Sequence, residues 1–281
     1  MGFSNNLLSD FDIQYGELVK YKGKGGNVLI PNSVKSIGED AFNGCESLTS
    51  IIIPNSVESI GEDAFYGCTS LKQINVEEGN ANYISIDGNL YTKDRQTLVQ
   101  YAVGKQDTSF TIPDSVKSIE GRAFSKCTSL QSITIPNSVE SIGKWVFFKC
   151  TSLTSIKIGN SVKSIGNSAF YNCTSLTSVI IGNSVTSIGE YAFAGCTSLT
   201  SITIPYSVKS IGAGAFYGCE SLTNVTIPNS VESIGDWAFY GCWNLKTVYN
   251  LSKLDIVKRS DTHGGVAEYA ENVYTELPDN N

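Results

Sequence analysis

The cysteines are the residues whose chemistry and spacing first suggest a function. The chain of 281 residues has eight of them, at positions 45, 68, 127, 150, 173, 196, 219 and 242. Six of the seven intervals are 23 residues long, and the seventh is 59 residues, which is one such interval plus an insertion of 36. Cysteines can form disulfides, bind metals or act as nucleophiles. A constant interval indicates instead that each cysteine belongs to a repeated unit.

The other residues with catalytic or ligand chemistry are few. His263 is the only histidine, which leaves no two-histidine metal site and no histidine base within the repeats. The Gly-Lys-Gly-Gly run at residues 23–26 lacks the pattern of a phosphate-binding loop. Asp87, Asn89 and Asp94 lack the spacing of a calcium loop. The sequence therefore predicts a non-catalytic protein that needs no metal and no cofactor.

Each 23-residue unit has the pattern of a short strand followed by a turn. Ile51 and Ile53 alternate with residues 50 and 52, as the two faces of a strand do. Pro54 ends the strand because proline has no N–H to donate. The core phenylalanine lies three residues before each cysteine, as Phe65 does before Cys68. The residue before the cysteine is glycine in five units, which favours a left-handed backbone there.

A single unit of this size cannot bury its own apolar residues. Stacked units, with strands at ~4.8 Å spacing, would turn these residues into continuous buried columns. The sequence therefore predicts a solenoid of eight 23-residue coils with a parallel β-sheet along one face.

The repeated pattern, IPNSVxSIGxxAFxGCxSLTxI, resembles the leucine-rich repeats of the BspA-like type over about residues 28 to 250. The resemblance implies a leucine-rich-repeat solenoid, a curved right-handed horseshoe segment with the parallel sheet on its concave face. It also implies a secreted or cell-surface repeat protein of bacteria or protists that acts in protein binding and cell adhesion. It carries over no catalytic residues.

Two interpretations of the cysteines follow. Four disulfides could join neighbouring coils, or the thiols could form a buried column. Equivalent residues of stacked coils point the same way, whereas a disulfide needs two Cβ vectors that face each other. We expect eight buried free thiols and no disulfides.

Segments without the repeat flank the array and interrupt it. We expect an N-terminal β-hairpin cap at residues 1–29 and the leucine-rich repeat array at residues 30–250. A hairpin cassette at about residues 77–111 interrupts the array and resembles the cap, since Lys20-Tyr21 matches Gln100-Tyr101. Residues 251–281 are expected to form a C-terminal cap or tail, with a strand near 255–258 and a helix near 265–272.

The outward strand positions form the first candidate binding surface, a concave face rich in hydroxyl groups. Its residues are Ser132, Thr134, Ser155, Lys157, Ser178, Ile180, Ser201, Thr203, Asn224 and Thr226. One interpretation is a broad face that binds proteins or glycans. The other is a solvated sheet rich in threonine, a residue that favours strands.

An aromatic stripe on the opposite, convex side is the second candidate. Its residues are Trp145, Phe148, Tyr171, Tyr191, Tyr217, Trp237 and Tyr240. Such a stripe could bind a partner, and a carbohydrate-binding module that uses it is the alternative function. It could also serve only to cover adjacent coils.

Composition and charge narrow the class of partner. The net charge is −7 and no basic stripe is present, which argues against nucleic acid. No apolar run reaches ~18 residues, so we expect no membrane insertion. Residues 1–11 lack the pattern of a signal peptide. By family resemblance we expect an extracellular or cell-surface location and a protein partner from a host or a cell surface, with a glycan possible.

Overall fold

Short strands and turns make up almost all of the computed structural model, which describes residues 7–278. A 3-10 turn, Leu8–Asp10, precedes the first strand. The remaining elements are 24 strands and one short helical segment. The strands fall into a main sheet, a second ladder and two antiparallel segments.

The main sheet lies along one face of the solenoid and consists of parallel strands from successive coils. Its strands are Gly26–Leu29, Leu48–Ile53, Gln73–Val76, Ser109–Thr111, Ser132–Thr134, Ser155–Lys157, Ser178–Ile180, Ser201–Thr203, Asn224–Ile227, Thr247–Asn250 and Asn272–Tyr274. Equivalent residues pair directly, as Ile133 does with Ile156. This confirms the predicted leucine-rich-repeat solenoid with parallel stacked strands.

The main sheet is not continuous, contrary to the expectation of one sheet. Hydrogen bonding stops after Gln73–Val76, where the cassette intervenes, and again between Ser178–Ile180 and Ser201–Thr203. Near the second gap, the Asn160 and Asn183 N–H groups each donate to the side-chain oxygen of the asparagine one coil earlier, at 2.8 and 3.1 Å. The equivalent residue of the next coil is Tyr206, which has no amide oxygen to accept such a bond.

A second parallel ladder joins the coils along another face and was not predicted. Each of its strands is a Ser-Ile pair: Ser36–Ile37, Ser59–Ile60, Ser118–Ile119, Ser141–Ile142, Ser164–Ile165, Ser187–Ile188, Ser210–Ile211 and Ser233–Ile234. A third set of bonds runs through the turns, where the Phe170 and Phe193 N–H groups donate to the Ala192 and Ala215 carbonyls at 2.7 Å. Three sets of hydrogen bonds therefore hold neighbouring coils together, except at the two interruptions of the main sheet.

The core phenylalanines stack along the array. Neighbouring ring centroids from Tyr101 through Phe239 are 4.9 to 5.4 Å apart. A shorter stack runs through Phe11, Tyr21, Phe42 and Phe65 at 5.2 to 5.6 Å. A tyrosine thus occupies the phenylalanine position at the start of each set of repeats, as the match between Lys20-Tyr21 and Gln100-Tyr101 suggested.

Antiparallel strands lie at the start of the described chain and in the insertion. Phe11–Gln14 pairs with Glu17–Tyr21, which then pairs in parallel with Ser36–Ile37. The insertion contains three antiparallel strands, which pair in the order Tyr83–Ile86, Asn89–Thr92 and Thr97–Gln100. The last of them pairs in parallel with Ser118–Ile119. The buried residues form two clusters, one up to Leu90 and one from Tyr91 onward.

The C-terminal segment differs from the expected structure. Residues 255–258 form no strand, and the helix expected at residues 265–272 is absent beyond Gly265. A single helical turn, Thr262–Gly265, is kinked at His263 and Gly264. The left-handed φ angles of Gly264 and Gly265 end the helix, and Asn272–Tyr274 extends the main sheet beside Thr247–Asn250.

Candidate binding surfaces

The cysteines lie in a column beside the stacked phenylalanines, and all eight are free thiols. Seven are buried, while Cys45, expected to be buried as well, is only partly covered because a hairpin rather than a full coil precedes its unit. Six thiols donate to the carbonyl of the phenylalanine in the preceding coil at 3.1 to 3.3 Å. They are those of Cys68, Cys150, Cys173, Cys196, Cys219 and Cys242.

This environment makes the thiols poor nucleophiles. Burial raises the pKa of Cys68 and of Cys173 to about 12, because the thiolate would lose its hydration. The reactive form of a cysteine is the thiolate, so the column has a structural role.

The residues considered for catalysis and metal binding are His263 in the C-terminal segment and Asp87, Asn89 and Asp94 in the cassette. His263 is partly buried in the kinked turn, with a φ of 50°. Within residues 7–278, no group of three or more His, Cys, Asp or Glu side chains is arranged to hold a metal ion.

The first candidate surface is the outer face of the main sheet. Thr134, Lys157, Ile180 and Thr203 are exposed, while the alternate residues, such as Ile156, face the core. A shallow cleft of about 720 Å³ opens at the gap in the sheet, beside Ile180 and Tyr206. Apart from this cleft, small hydroxyl side chains dominate the face.

The second candidate surface lies on the side of the solenoid where the turns containing the core phenylalanines stack, which we call the turn side. The residue two positions before each of these phenylalanines has a left-handed backbone. These residues are Asp40, Asp63, Arg122, Trp145, Ser168, Tyr191, Gly214 and Trp237, with φ from 52° to 60°. The predicted left-handed residues before the cysteines are also present, from Gly44 to Gly241. The first column was missed because only one of its members is a glycine.

A neighbouring column on the turn side holds the residue that follows each core phenylalanine. Phe148 stacks on Tyr171 at 5.5 Å, and Tyr217 stacks on Tyr240 at 5.5 Å. Ala194 occupies the same column between these two pairs. Beyond Tyr240 the row continues through Trp243 at 6.2 Å, another exposed aromatic residue that the sequence reasoning did not single out.

Between the two columns runs a groove of about 780 Å³. Its lining residues are Ser168, Tyr171, Tyr191, Tyr217, Trp237 and Tyr240, which we call the aromatic groove. Small residues leave room for the groove. One of them is Gly214, which lies under the Tyr191 ring: a Cβ added to Gly214 would be 2.4 Å from Tyr191 Cε1.

The structure brings together five of the seven residues of the predicted stripe. Trp145 and Phe148 lie outside the groove, with cationic side chains over their rings. Trp237 is 62% exposed, Tyr217 43% and Tyr240 39%, whereas Tyr171 and Tyr191 are half-buried. The groove is therefore the part of the stripe with the most accessible ring surface.

Hydrogen-bonded coils, a column of inert thiols and broad outer faces define a repeat solenoid. Within residues 7–278, no helix has the length and apolar character needed to cross a membrane. The sequence model of the BspA type leucine-rich repeat region matches in six copies, over residues 20–95, 103–205 and 163–260. The chain belongs to this family of repeat scaffolds, whose leucine-rich repeats bind proteins.

Solved structures of bacterial proteins share this fold. A leucine-rich cell surface protein from Faecalibacterium prausnitzii is 30% identical, with a TM-score of 0.61, and the match covers 90% of this chain and 63% of that one. A leucine-rich repeat protein from Eubacterium ventriosum is 24% identical over 86% of this chain and 81% of that one, with a TM-score of 0.62. The pneumococcal vaccine antigen PcpA is 23% identical over 90% of this chain and 68% of its own, also with a TM-score of 0.62.

The similarity to the Faecalibacterium protein, at 30% identity, agrees with the family match. The similarities to the other two structures, at 24% and 23% identity, show the fold alone. This chain spans less than two thirds of the Faecalibacterium protein. Comparison with curated protein sequences gave no significant match.

Proposed function

We propose that this chain is a non-catalytic recognition module that binds a partner protein through the aromatic groove, in adhesion or a related surface contact. The observation that supports this most directly is the exposure of Tyr217, Trp237 and Tyr240 along one groove. Tryptophan and tyrosine are the residues that most often dominate binding energy at protein interfaces. Contiguous exposed apolar surface on a folded protein commonly marks an interaction site.

An extracellular or cell-surface location is part of the proposal. It is supported by the family and by the Faecalibacterium protein, which is described as a cell surface protein. The free thiols are compatible with such a location because seven of the eight are buried away from oxidants.

The outer face of the main sheet is the less favoured docking surface. Serine and threonine residues such as Thr134 and Thr203 supply hydrogen bonds but little apolar area. Such residues are under-represented among those that dominate binding. The groove offers large rigid rings at positions fixed by the stacked coils.

Affinity capture with purified surface and matrix proteins tests the proposal. The bait is the 281-residue chain, compared with the double variant Trp237→Ala/Tyr240→Ala. Tyr206→Ala is the matched control, since Tyr206 is 61% exposed and lies at the sheet-face cleft. We expect a partner retained by the wild type and by Tyr206→Ala but lost by the double variant. Loss on Tyr206→Ala alone would move the site to the main sheet.

The carbohydrate alternative would use the same aromatic groove, because sugar rings also stack on aromatic faces. A glycan array probed with the wild type and with Trp237→Ala separates the two functions. Binding of a defined glycan that Trp237→Ala abolishes, with no protein captured, would replace protein recognition by carbohydrate binding.

A further inference from the structure

The charge of the coils changes sign along the array. Residues 31–78 contain two lysines and eight acidic residues, whereas residues 117–149 contain five basic residues and two acidic ones. From residue 164 to residue 245, where the aromatic groove lies, Lys209 is the only basic residue. The acidic residues in that range are Glu190, Glu220, Glu232 and Asp236. An acidic region, a basic region and a second acidic region therefore follow one another.

The basic region is already occupied by contacts within the molecule. The Arg122 guanidinium lies 4.3 Å from the Tyr66 ring centroid and 4.4 Å from that of Trp145. The same side chain forms an ion pair with Asp63 at 2.8 Å. Lys144 repeats the arrangement, 5.1 Å from the Trp145 ring and 2.8 Å from Glu62. In this region, cations that lie between aromatic rings and carboxylates join residues 62–66 to residues 122–145.

The aromatic groove has exposed rings, and two of its lining residues have an acidic residue next to them in the chain. Glu190 immediately precedes Tyr191, and Asp236 immediately precedes Trp237; both carboxylate residues are exposed. Among residues 7–278 the structure has six contacts between a cation and a ring, and all of them lie between residues 66 and 149. Within residues 7–278 the rings of the groove therefore have no cation over them, and the nearest charged residues in the chain, Glu190 and Asp236, are acidic.

Resting on the proposed function, we infer that the groove receives arginine and lysine side chains from a basic segment of the partner protein. A cation over an aromatic face is attracted by the ring quadrupole, and Trp237 is the best of these faces. The exposed carboxylates of Glu190 and Asp236, next to two lining residues in the chain, add longer-range Coulomb attraction for a cationic segment and also speed encounter with a basic surface.

The length of the groove fits a short extended segment. The groove spans four coils, from Ser168 to Tyr240, and three strand spacings make this about 14 Å. Alternate side chains of an extended peptide are about 6.6 Å apart. Two or three cationic side chains of one segment can therefore lie along the groove together.

Calorimetric titration of the full chain with hexa-arginine and hexa-citrulline tests the inference. Citrulline has nearly the shape of arginine but carries no charge. At about 0.15 M salt we expect hexa-arginine to bind at least about tenfold more tightly than hexa-citrulline. We expect Trp237→Ala/Tyr240→Ala and Glu190→Gln/Asp236→Asn each to weaken hexa-arginine binding about five- to tenfold.

The double variant Glu39→Gln/Glu46→Gln is the control for general attraction between a basic peptide and an acidic protein. These two residues are also exposed but lie far along the array from the groove. We expect this variant to change the affinity less than about twofold. Equal binding of the two peptides, or equal weakening by both charge-neutralising variants, would overturn the inference. Thermal unfolding of each variant verifies that the solenoid is intact.

The two proposals fail in different ways. If the captured partner is lost on Trp237→Ala/Tyr240→Ala but unaffected by Glu190→Gln/Asp236→Asn, the groove is a protein-binding site and the cationic ligand is wrong. If neither pair of substitutions affects the captured partner, the proposed function of the groove is wrong as well.

Discussion

At the scale of the residue, the cysteine column shows how a reactive side chain becomes a structural one. Each thiol from Cys150 to Cys242 donates to a phenylalanine carbonyl of the preceding coil. That carbonyl also accepts the N–H of the cysteine in its own coil, as Phe170 does from Cys173. A small side chain with one weak donor fits this position, and the sulfur adds apolar contact.

Thiol labelling follows from this arrangement. At pH 8 we expect a thiol reagent to modify Cys45 first, because it alone is partly exposed, and the other seven only on unfolding. Burial raises the pKa of Cys45 above its ordinary value of 9.0, so its thiol stays protonated at pH 8 and its labelling should quicken as the pH rises beyond 9. Mass spectrometry of the labelled peptides measures the order. Early labelling of Cys196 in the folded protein would contradict a closed core.

At the scale of the element, the stacked phenylalanines connect each coil with two neighbours. The Phe193 ring is parallel to those of Phe170 and Phe216, at centroid distances of 5.0 and 5.4 Å and angles of 5° and 2°. Since no coil has a core of its own, the stability of the array is approximately a sum of coil and interface contributions.

We expect Phe193→Ala to lower the free energy of unfolding by about 3–5 kcal/mol, since it leaves a cavity between two coils. Urea denaturation followed by circular dichroism gives the value, and Tyr206→Ala serves as the exposed aromatic control. A loss below about 1 kcal/mol would mean that the ring stack contributes little.

The tip of the cassette, Lys93-Asp94-Arg95, is expected to matter far less for stability. These residues are exposed, and Asp94 accepts hydrogen bonds only from Thr92 and Gln96 within the turn. Replacing residues 93–95 with Asn-Gly keeps Gln96, whose carbonyl accepts from the Lys117 and Ser118 N–H groups. This change should lower the free energy of unfolding by less than about 1 kcal/mol, as thermal unfolding would measure. If this change unfolds the array, the tip is part of a structural cap. Unchanged stability with loss of the captured partner would instead make the tip a binding loop.

The sequence predicted the elements that depend on the repeat itself. The 23-residue period and the alternation at Ile51 and Ile53 were sufficient for the parallel main sheet. They were insufficient for the Ser-Ile ladder, because two residues are too few to show an alternation. The tail helix failed because Gly264 and Gly265 adopt left-handed conformations that a helix cannot continue.

The candidate groove was only partly predictable. The sequence identified its aromatic residues, but not their separation from Trp145 and Phe148. The groove is separate from these two rings for two reasons. The small residues Ser168, Ala194 and Gly214 leave space between the columns, and cations cover the rings of Trp145 and Phe148. Both features require the neighbouring coils to be stacked in three dimensions.

At the scale of the whole molecule, the buried residues form two clusters that meet at the cassette, and two ion pairs join the coils on either side. Arg122 and Asp63, with side chains 19% and 17% exposed, form one link across this division, and Lys144 and Glu62 form another. Backbone hydrogen bonds also cross the division, such as that from the Gly104 N–H to the Leu71 carbonyl at 2.8 Å. We expect loss of the Arg122 link to loosen the first cluster more than the second.

We expect Arg122→Ala to speed hydrogen exchange of residues 7–90 while leaving residues 150–240 unchanged. The substitution removes an ion pair and two ring contacts and leaves Asp63 without its cation, at a cost of about 1–3 kcal/mol. Lys149→Ala is the matched control, because Lys149 covers Phe148 within one segment. Equal acceleration along the whole chain would show a single cooperative unit.

Hydroxyl-radical footprinting of the complex with the captured protein shows whether the partner binds the turn side through the aromatic groove. We expect protection of Tyr217, Trp237 and Tyr240, with Tyr206 oxidised as fast as in the free chain. Protection of Tyr206 and Ile180, with Trp237 still fully reactive, would place the partner on the main sheet and exclude the groove as its site.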